Sequence, residues 1–279
     1  MIARVVTRFS EVVRMKANEK SLRDRVALIT GAGSGIGRTV AQKFAQQGAE
    51  LVILGRTPKE LAETAKELKK ADAKVTELVA DIADSDSMAK AFGQLRARFN
   101  HLDILVANAG VNGVWAPLEQ IELEEWDQTI AINVRGTFLT IKQALPLLKA
   151  ARGSITVVAS VNGTRIFSNT GATAYSCSKA AQVAMVKMLA VELGPAGVRI
   201  NVVCPGAITT NISDNTKKRD LDKVRIPVEY PKGTIPLTQN QPGKPEDVAD
   251  LIWFLSSPNA QHITGSEVYV DGAQSLLQG

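Results

Sequence analysis

The sequence predicts an α/β fold, an open doubly wound sheet of seven mainly parallel strands with helices on both faces. From Arg25 onward, short runs rich in Val, Ile and Leu alternate with longer stretches of helical periodicity. The short runs are apolar on both faces, as strands of a parallel sheet are when helices cover them. No segment rich in Gly, Ser or Pro divides the body, so we expect one domain over residues 21–279.

Each predicted element follows from one of these stretches. Strands are expected at 26–30, 51–54, 75–79, 103–107, 154–159, 198–203 and 267–270. Helices are expected near 36–47, 58–70, 85–99, 122–149, 173–193 and 246–256. Strands that alternate with helices predict right-handed crossover connections. Pro146 should kink or end the fourth helix, because proline lacks a backbone N–H.

Two segments do not share this pattern. We interpret residues 1–20 as an N-terminal extension, helical or disordered. A targeting presequence and a membrane-surface helix are the alternatives for it. Residues 207–240 contain three prolines and lack periodicity, and they follow the sixth strand at the edge where open α/β sheets bind ligands. We expect this segment to be a substrate loop.

Composition excludes several classes of protein. The net charge is +5, but residues 1–20 contribute five basic and two acidic side chains, so the body is nearly neutral. That distribution argues against a nucleic-acid partner. No apolar run approaches the ~18 residues of a membrane span. The two cysteines and two histidines lack the spacing of metal ligands, so no metal is expected. The cysteine usage fits a reducing compartment, and we expect a cytoplasmic location.

A glycine-rich loop connects the first strand to the first helix. It has the sequence TGAGSGIG at residues 30–37. Gly31, Gly35 and Gly37 allow a tight turn, close approach to a phosphate and close packing of helix on strand. The helix N-terminus then offers free N–H groups to a pyrophosphate. A flexible turn is the alternative, but the strand before the loop and the helix after it favour a dinucleotide site.

The end of the second strand bears on the choice of dinucleotide. A carboxylate about 20 residues after the glycines would bind a ribose 2′-hydroxyl, but the strand ends in Gly55-Arg56. The planar guanidinium of an arginine can pair with a 2′-phosphate. We therefore predict NADP(H) as the preferred cofactor, with NAD(H) as the alternative. A surface arginine that merely begins a helix is the competing interpretation.

A tyrosine and a lysine provide the candidate acid/base chemistry. Tyr175 and Lys179 are four residues apart and share one face of a predicted helix. A phenol is a sluggish acid near neutral pH, and a nearby ammonium should lower its pKa. Ser160 ends the apolar run that precedes this helix. Cys177, between the two residues, has no activating base nearby and is interpreted as packing.

Taken together, these motifs resemble the short-chain dehydrogenase/reductase family, in its single-domain subfamily with TGxxxGxG and YxxxK motifs. The resemblance covers about residues 22–274 and implies a Rossmann-type fold. It includes Asp81, Asn108-Ala109-Gly110, Asn133, Ser160, Pro205-Gly206 and Val270-Asp271-Gly272. The family commonly has NNAG where this chain has ANAG, which is a mild departure.

The resemblance implies a role for each matching residue. The implied cofactor site comprises Gly31, Ser34, Gly35, Ile36, Gly37, Arg56, Asp81, Ile82, Asn108, Ala109, Gly110, Tyr175, Lys179, Pro205, Gly206, Ile208 and Thr210. Within it, Asp81 and the Ile82 backbone would contact adenine. The segment 108–110 would line the adenosine side, and the segment 205–210 would border the nicotinamide.

The resemblance also implies the catalytic roles. Tyr175 would be the general acid/base, and Lys179 would bond the nicotinamide ribose. Asn133 would anchor a water in a proton relay to Lys179. Substrate contacts would come from Ser160, Asn162 and Tyr175, with Ser160 bonding the carbonyl oxygen. The Tyr-to-Lys spacing of four favours carbon–oxygen over carbon–carbon chemistry, because many enoyl reductases of the family use a wider gap.

The expected function is therefore the NAD(P)-dependent interconversion of an alcohol and a ketone or aldehyde. A 3-oxoacyl thioester, a sugar or polyol and a steroid-like or xenobiotic ketone remain open as substrates. Asn112, Trp115, Val161 and the loop 207–240 should shape the substrate pocket. The alternative from another class is a non-catalytic NADP(H)-binding regulator, against which the complete catalytic set argues. Family members usually form tetramers, so a homotetramer is expected.

Overall fold

A computed structural model describes residues 20–210, 216–226 and 233–278. The predicted N-terminal extension therefore lies outside the described residues, except for Lys20. Within the described ranges, no helix has the length and apolar character that crossing a membrane requires.

Seven strands form one sheet in which every pairing is parallel. In spatial order they are β3 (Val75–Val79), β2 (Glu50–Gly55), β1 (Val26–Thr30), β4 (Ile104–Ala107), β6 (Ser154–Val158), β7 (Arg199–Pro205) and β9 (Glu267–Val270). The strand order reverses between β1 and β4, and ligands bind at such a switch point in open α/β sheets. The predicted α/β fold is confirmed.

Helices pack on both faces of this sheet. They are α1 (Gly35–Gln46), α2 (Pro58–Lys70), α3 (Ser85–Arg98), α4 (Leu123–Ile130), α5 (Gly136–Ala151), α6 (Thr173–Leu193), α7 (Pro245–Ser256) and α8 (Gln274–Gln278). Successive residues of β1 enter two different apolar clusters, because side chains alternate across a strand. One cluster includes α3, α5 and α6, and the other includes α1, α2 and α7.

The long predicted helix near 122–149 differs from expectation in two ways. A π-helical turn, Ala131–Arg135, separates α4 from α5. The helix also does not end at Pro146 but continues to Ala151. Leu147 and Leu148 are buried beyond the proline, so their packing offsets the backbone hydrogen bond that Pro146 cannot donate. A π-turn inside an α-helix frequently marks a functional site, and this one contains Asn133.

A second, two-stranded sheet lies beside the main one. The strands β5 (Gly113–Trp115) and β8 (Thr216–Lys218) pair in parallel. β8 lies within the segment 207–240, so the described part of the predicted loop is not wholly irregular. A 3₁₀ turn, Leu221–Lys223, follows β8.

Candidate active site

The glycine-rich loop forms one wall of a cavity of about 330 Å³ at the carboxyl edge of the sheet. Gly31 and Gly35 have φ angles of +66° and +51°, a backbone conformation that residues with a side chain rarely adopt. The cavity is lined by eleven of the predicted cofactor residues: Gly31, Ser34, Gly35, Ile36, Arg56, Asp81, Ile82, Asn108, Ala109, Gly110 and Thr210. The structure thus brings together residues from four strand ends.

Gly37 and Asn108 hold the loop in shape. A Cβ at Gly37 would lie 2.3 Å from the Gly31 carbonyl oxygen, so the helix start can approach the loop this closely only with glycine. Asn108 Nδ2 donates to Thr30 O at 3.0 Å, and its backbone N donates to Thr30 Oγ1 at 3.0 Å. Gly37 therefore packs behind the cavity and does not line it.

Among its described lining residues, the cavity contains one cationic side chain, Arg56, and two carboxylates, Glu60 and Asp81. The first turn of α1 contains no acidic residue, so its N–H groups meet no competing carboxylate. The Arg56 side chain is 63 % exposed and lies 4.0 Å from an Asp81 oxygen. Glu60 also lines the cavity and packs against Gly33. Sequence reasoning missed Glu60, because no motif distinguishes it from other surface carboxylates of α2.

Ser160 and Tyr175 meet where β6 faces the start of α6. Both side chains are buried, and the Ser160 hydroxyl interacts with the Tyr175 phenol. Ser160 Oγ also accepts a hydrogen bond from Asn162 N at 3.1 Å, which fixes the hydroxyl. Burial raises the pKa of the Tyr175 phenol above its ordinary value, and the interaction with Ser160 opposes this shift.

Lys179 lies one helical turn further along α6 and is also buried. Its Nζ is 5.6 Å from the centroid of the Tyr175 ring and donates to Val158 O at 3.1 Å and Gln182 Oε1 at 3.0 Å. Burial lowers the pKa of Lys179 to about 8. The prediction that the ammonium lowers the tyrosine pKa is wrong for this structure, because burial is the largest effect on Tyr175 and raises its pKa.

Asn133 connects these groups to the cavity. Its side chain exchanges two hydrogen bonds with the backbone of Val111, at 2.9 and 2.8 Å, and donates to Ser178 Oγ at 2.9 Å. A Cβ at Gly110, which lines the cavity, would lie 3.0 Å from Asn133 Oδ1 and 3.6 Å from Lys179 Nζ. The ammonium therefore adjoins the cavity wall. The Asn133 carbonyl accepts from Gln182 Nε2 at 2.8 Å, a contact that sequence reasoning missed.

The segment 205–208 lies outside the cavity lining, but it borders the Ser160 end of the site. Pro205 O accepts a hydrogen bond from Val161 N at 3.0 Å. Gly206 N donates to Val270 O at 2.9 Å, which joins the segment to β9. Ile208 bridges to Gly243.

The small sheet brings candidate substrate-contacting residues to the same place. The Trp115 ring centroid is 6.3 Å from that of Tyr175. Asn112 Nδ2 donates to Thr216 Oγ1 at 2.7 Å, which joins β5 to β8. Residues 217–219, at the end of β8, are all basic. Arg219 is ion-paired with Glu125, so its charge has a partner within the protein.

Two further predicted residues are less available to a substrate. Val161 and Asn162 are buried, and Asn162 Oδ1 accepts from Asn169 Nδ2 at 2.8 Å. Cys177 is exposed, so the interpretation of this residue as packing is wrong.

Comparison with known proteins places this site in a family. The family model described as "Enoyl-(Acyl carrier protein) reductase" matches residues 31–273. The structure of a 3-ketoacyl-ACP reductase from Sinorhizobium meliloti 1021 is 55 % identical, with a TM-score of 0.87, covering 90 % of this chain and 99 % of that one. The 3-oxoacyl-[acyl-carrier-protein] reductase FabG of Thermotoga maritima is 34 % identical over 254 residues, which are 90 % of this chain and 98 % of the relative.

A third relative was solved with a bound dinucleotide. The 3-ketoacyl-(acyl-carrier-protein) reductase from Brucella melitensis complexed with NADH is 33 % identical, with a TM-score of 0.80, covering 91 % of this chain and 100 % of that one. The chain belongs to the short-chain dehydrogenase/reductase family, and it is an oxidoreductase.

Proposed function

We propose that the protein is an NADP(H)-preferring reductase that interconverts an alcohol and a ketone, with a 3-oxoacyl thioester as substrate. One observation carries the chemistry: Tyr175 and Ser160 interact with each other and are buried, and Lys179 lies one helical turn away with its Nζ adjoining Gly110 in the cavity wall. A proton donor, a hydrogen-bond donor and a cation thus face the place where a bound nicotinamide would end.

Each of these side chains has a distinct part in the reduction. When bound, the nicotinamide supplies the hydride that reduces the carbonyl carbon. The Tyr175 phenol gives its proton to the carbonyl oxygen, and the Ser160 hydroxyl donates a hydrogen bond to the same oxygen. The Lys179 ammonium stabilises the phenolate that remains until solvent returns a proton. General acid–base assistance of this kind contributes roughly 10²–10⁴ in rate.

Burial sets the protonation state for this direction of the reaction. Because burial raises the pKa of Tyr175, the phenol keeps its proton at neutral pH and is ready to donate it. The oxidation of an alcohol needs the opposite state, the phenolate.

The remaining predicted residues hold the dinucleotide and the segments around it. Asp81 and Ile82 would face adenine, the segment 108–110 would line the adenosine side, and Pro205, Gly206, Ile208 and Thr210 would border the nicotinamide. For Asn133, its two hydrogen bonds to Val111 support a role in holding the chain after β4. Because these bonds occupy the Asn133 side chain, they favour a role in positioning the chain after β4 over the water-anchoring role that the family resemblance implies.

The preference for NADP(H) rests on Arg56. Its exposed guanidinium lies at the end of β2 and in the cavity wall, where a ribose 2′-phosphate would be neutralised by its charge. Glu60 and Asp81 are the opposing charges in the same cavity. Arg56 therefore has to outweigh two carboxylates to select the phosphorylated dinucleotide.

The choice of a 3-oxoacyl thioester rests on similarity and on the substrate wall. The 55 % identical structure and the Thermotoga maritima relative are both named as 3-oxoacyl (3-ketoacyl) carrier-protein reductases. Trp115 provides an aromatic surface beside Tyr175, against which an acyl chain can pack. The Tyr-to-Lys spacing of four favours ketone reduction, although the family model is described as an enoyl reductase.

A substrate panel tests the proposal. Oxidation of NADPH should be measured with acetoacetyl-CoA, crotonyl-CoA, a cyclic ketone and a sugar. We expect acetoacetyl-CoA to be reduced with the highest kcat/KM and crotonyl-CoA to be inert. Preferential turnover of crotonyl-CoA would replace the proposal by enoyl reduction. A chain that binds NADPH but turns over none of the four would support the non-catalytic regulator.

We further propose a cytoplasmic homotetramer. Both cysteines are free in the structure, in keeping with a reducing compartment. On the outer helices, Phe138 of α5 and Met188 and Val191 of α6 expose apolar side chains, 46 %, 74 % and 81 % accessible respectively. Association through these helices would cover them.

A further inference from the structure

Gln182 lies one helical turn after Lys179 on the same face of α6 and is 1 % exposed. Its side chain reaches three partners. Oε1 accepts from Lys179 Nζ at 3.0 Å, and Nε2 donates to Asn133 O and to Thr137 Oγ1, both at 2.8 Å. A buried amide is therefore hydrogen-bonded at both of its ends.

The chemistry of the partners fixes which way the amide points. An ammonium can only donate and a carbonyl can only accept. The Thr137 hydroxyl donates its own proton to Asn133 O at 2.7 Å, so it must accept from Gln182. A flipped amide would set an NH₂ group against the ammonium and an oxygen against a carbonyl. Gln182 Oε1 therefore faces Lys179.

In the described part of the chain, no carboxylate forms a hydrogen bond or ion pair with Lys179 Nζ. The titratable groups around Lys179 are Tyr175 on its own helix and Cys204 on β7. Burial raises the pKa of both, to about 12 for Cys204, so both are uncharged at neutral pH. Among the described residues, Nζ has Val158 O and Gln182 Oε1 as its acceptors. Acceptors of this kind favour the charged form of a lysine.

The other end of Gln182 is anchored in the π-turn. Asn133 lies in the segment Ala131–Arg135, and its carbonyl oxygen accepts from Gln182. The side chain of Asn133 accepts a hydrogen bond from Val111 N. Gln182 thus ties the lysine-bearing helix α6 to the irregular turn that supports the chain after β4. The hydrogen bonds from Nε2 to Asn133 O and Thr137 Oγ1 fix the amide, which keeps Oε1 directed at Nζ.

We propose that Gln182 is a positioning residue, which holds Lys179 in its protonated form and in place through a neutral, doubly anchored amide. This inference rests on the proposed function, because it assigns Gln182 to the work of Lys179 in that reaction. Its role is exerted through Lys179, and it does not contact the substrate.

The test compares two substitutions at this position with a matched control. Gln182→Met keeps the length of the side chain but removes its oxygen and its amide. Gln182→Glu keeps an oxygen beside Nζ and adds a negative charge. Thr137→Val removes one anchor of the amide without touching Lys179. The apparent pKa of Lys179 is measured by ¹³C NMR of its Cε in the protein without added dinucleotide. The Lys179 resonance is assigned as the one that is lost in Lys179→Arg. The second measurement is the pH profile of kcat.

The inference predicts shifts of opposite sign. Loss of a hydrogen bond to a charged group should lower the lysine pKa by about one unit in Gln182→Met, with an equal downward shift of the alkaline limb and about a fivefold loss of kcat at pH 8. Gln182→Glu should raise the pKa. Thr137→Val leaves the second anchor, Asn133 O, in place, so it should lower the pKa by much less than Gln182→Met does. If Gln182→Met does not fold, the upward shift in Gln182→Glu decides alone.

Parental titration of Lys179 in the folded Gln182 variants would overturn the inference, as would an equal shift in Thr137→Val. That result is distinct from failure of the proposed function. If the inference about Gln182 fails, the parent enzyme is still an active ketone reductase. If the proposed function fails, the parent reduces no ketone, but the NMR titration of Lys179 can still be measured.

Discussion

At the scale of single residues, the proposed role of Lys179 predicts how the reaction depends on pH. Burial lowers its pKa to about 8, so the ammonium is present below that pH and is lost above it. Since the ammonium stabilises the Tyr175 phenolate, kcat for ketone reduction should be level below pH 7 and fall as the pH rises through about 8. A pH profile of kcat at saturating NADPH measures this limb.

Lys179→Arg provides the control for that profile. A guanidinium stays charged throughout this range, so the variant should be slower but should lack the limb near pH 8. An unchanged limb in Lys179→Arg would show that another group titrates there.

Arg56 is the residue that we propose to govern the choice between the two dinucleotides. Its exposed guanidinium is available to a 2′-phosphate, so Arg56→Leu should lower kcat/KM for NADPH by about tenfold or more and leave kcat/KM for NADH nearly unchanged. Arg38→Leu is the matched control, because Arg38 of α1 is ion-paired with Glu67 and is not directed at the cavity lining. Equal losses with both dinucleotides in Arg56→Leu would contradict the assignment.

At the scale of elements, two glycines in helices should respond oppositely to alanine. Gly37→Ala places a methyl group 2.3 Å from the Gly31 carbonyl, so the turn and α1 must separate. We expect weaker NADPH binding and a lower free energy of unfolding. Gly93→Ala in α3 meets nothing within 4 Å and should stabilise the protein by about 1 kcal/mol. Denaturant unfolding and a fluorescence titration with NADPH measure both effects, and unimpaired NADPH binding in Gly37→Ala would contradict the packing argument.

The regular elements could be predicted from the sequence, because their signals are local. β3, β9, α2 and α6 begin and end at the predicted residues. Their apolar runs and caps are contained in the segments themselves, such as Pro58 at the start of α2. β1 also matches its predicted bounds, and the ends of the other predicted elements moved by one or two residues, except that the helix near 122–149 is divided by the π-turn.

Features that depend on distant contacts could not be predicted. β5 and β8 have three residues each and pair across about a hundred residues of chain, so neither segment contains a pattern of its own. The π-turn at Asn133 and the passage of α5 through Pro146 follow from packing between helices. Local propensity gives no sign of either.

The candidate site divides in the same way. Its motif residues were predicted, and eleven of the predicted cofactor residues line one cavity. Glu60 and Gln182 were missed, because their positions matter only through the neighbours that the fold supplies. The direction of the Tyr175 pKa shift was also missed, since burial cannot be measured from spacing along a helix.

At the scale of the whole molecule, the exposed apolar side chains of α5 and α6 predict association. Val191 is 81 % exposed, so Val191→Glu would set a charge in the proposed contact. We expect light scattering to give a tetramer mass for the parent and a smaller species for Val191→Glu. Ile226→Glu, at an apolar side chain that is also exposed but lies elsewhere, should retain the parental mass. A monomeric parent would overturn the proposal.

The most direct test of the whole account is the effect of one hydroxyl group on turnover. Tyr175→Phe removes the proposed proton donor, and Tyr269→Phe makes the same chemical change in β9, where the hydroxyl bonds Glu267. The measurement is the kcat of acetoacetyl-CoA reduction, together with NADPH binding by fluorescence. The account predicts a loss of at least about 10²-fold in Tyr175→Phe with NADPH still bound, and near-parental turnover in Tyr269→Phe. Parental turnover in Tyr175→Phe would contradict it.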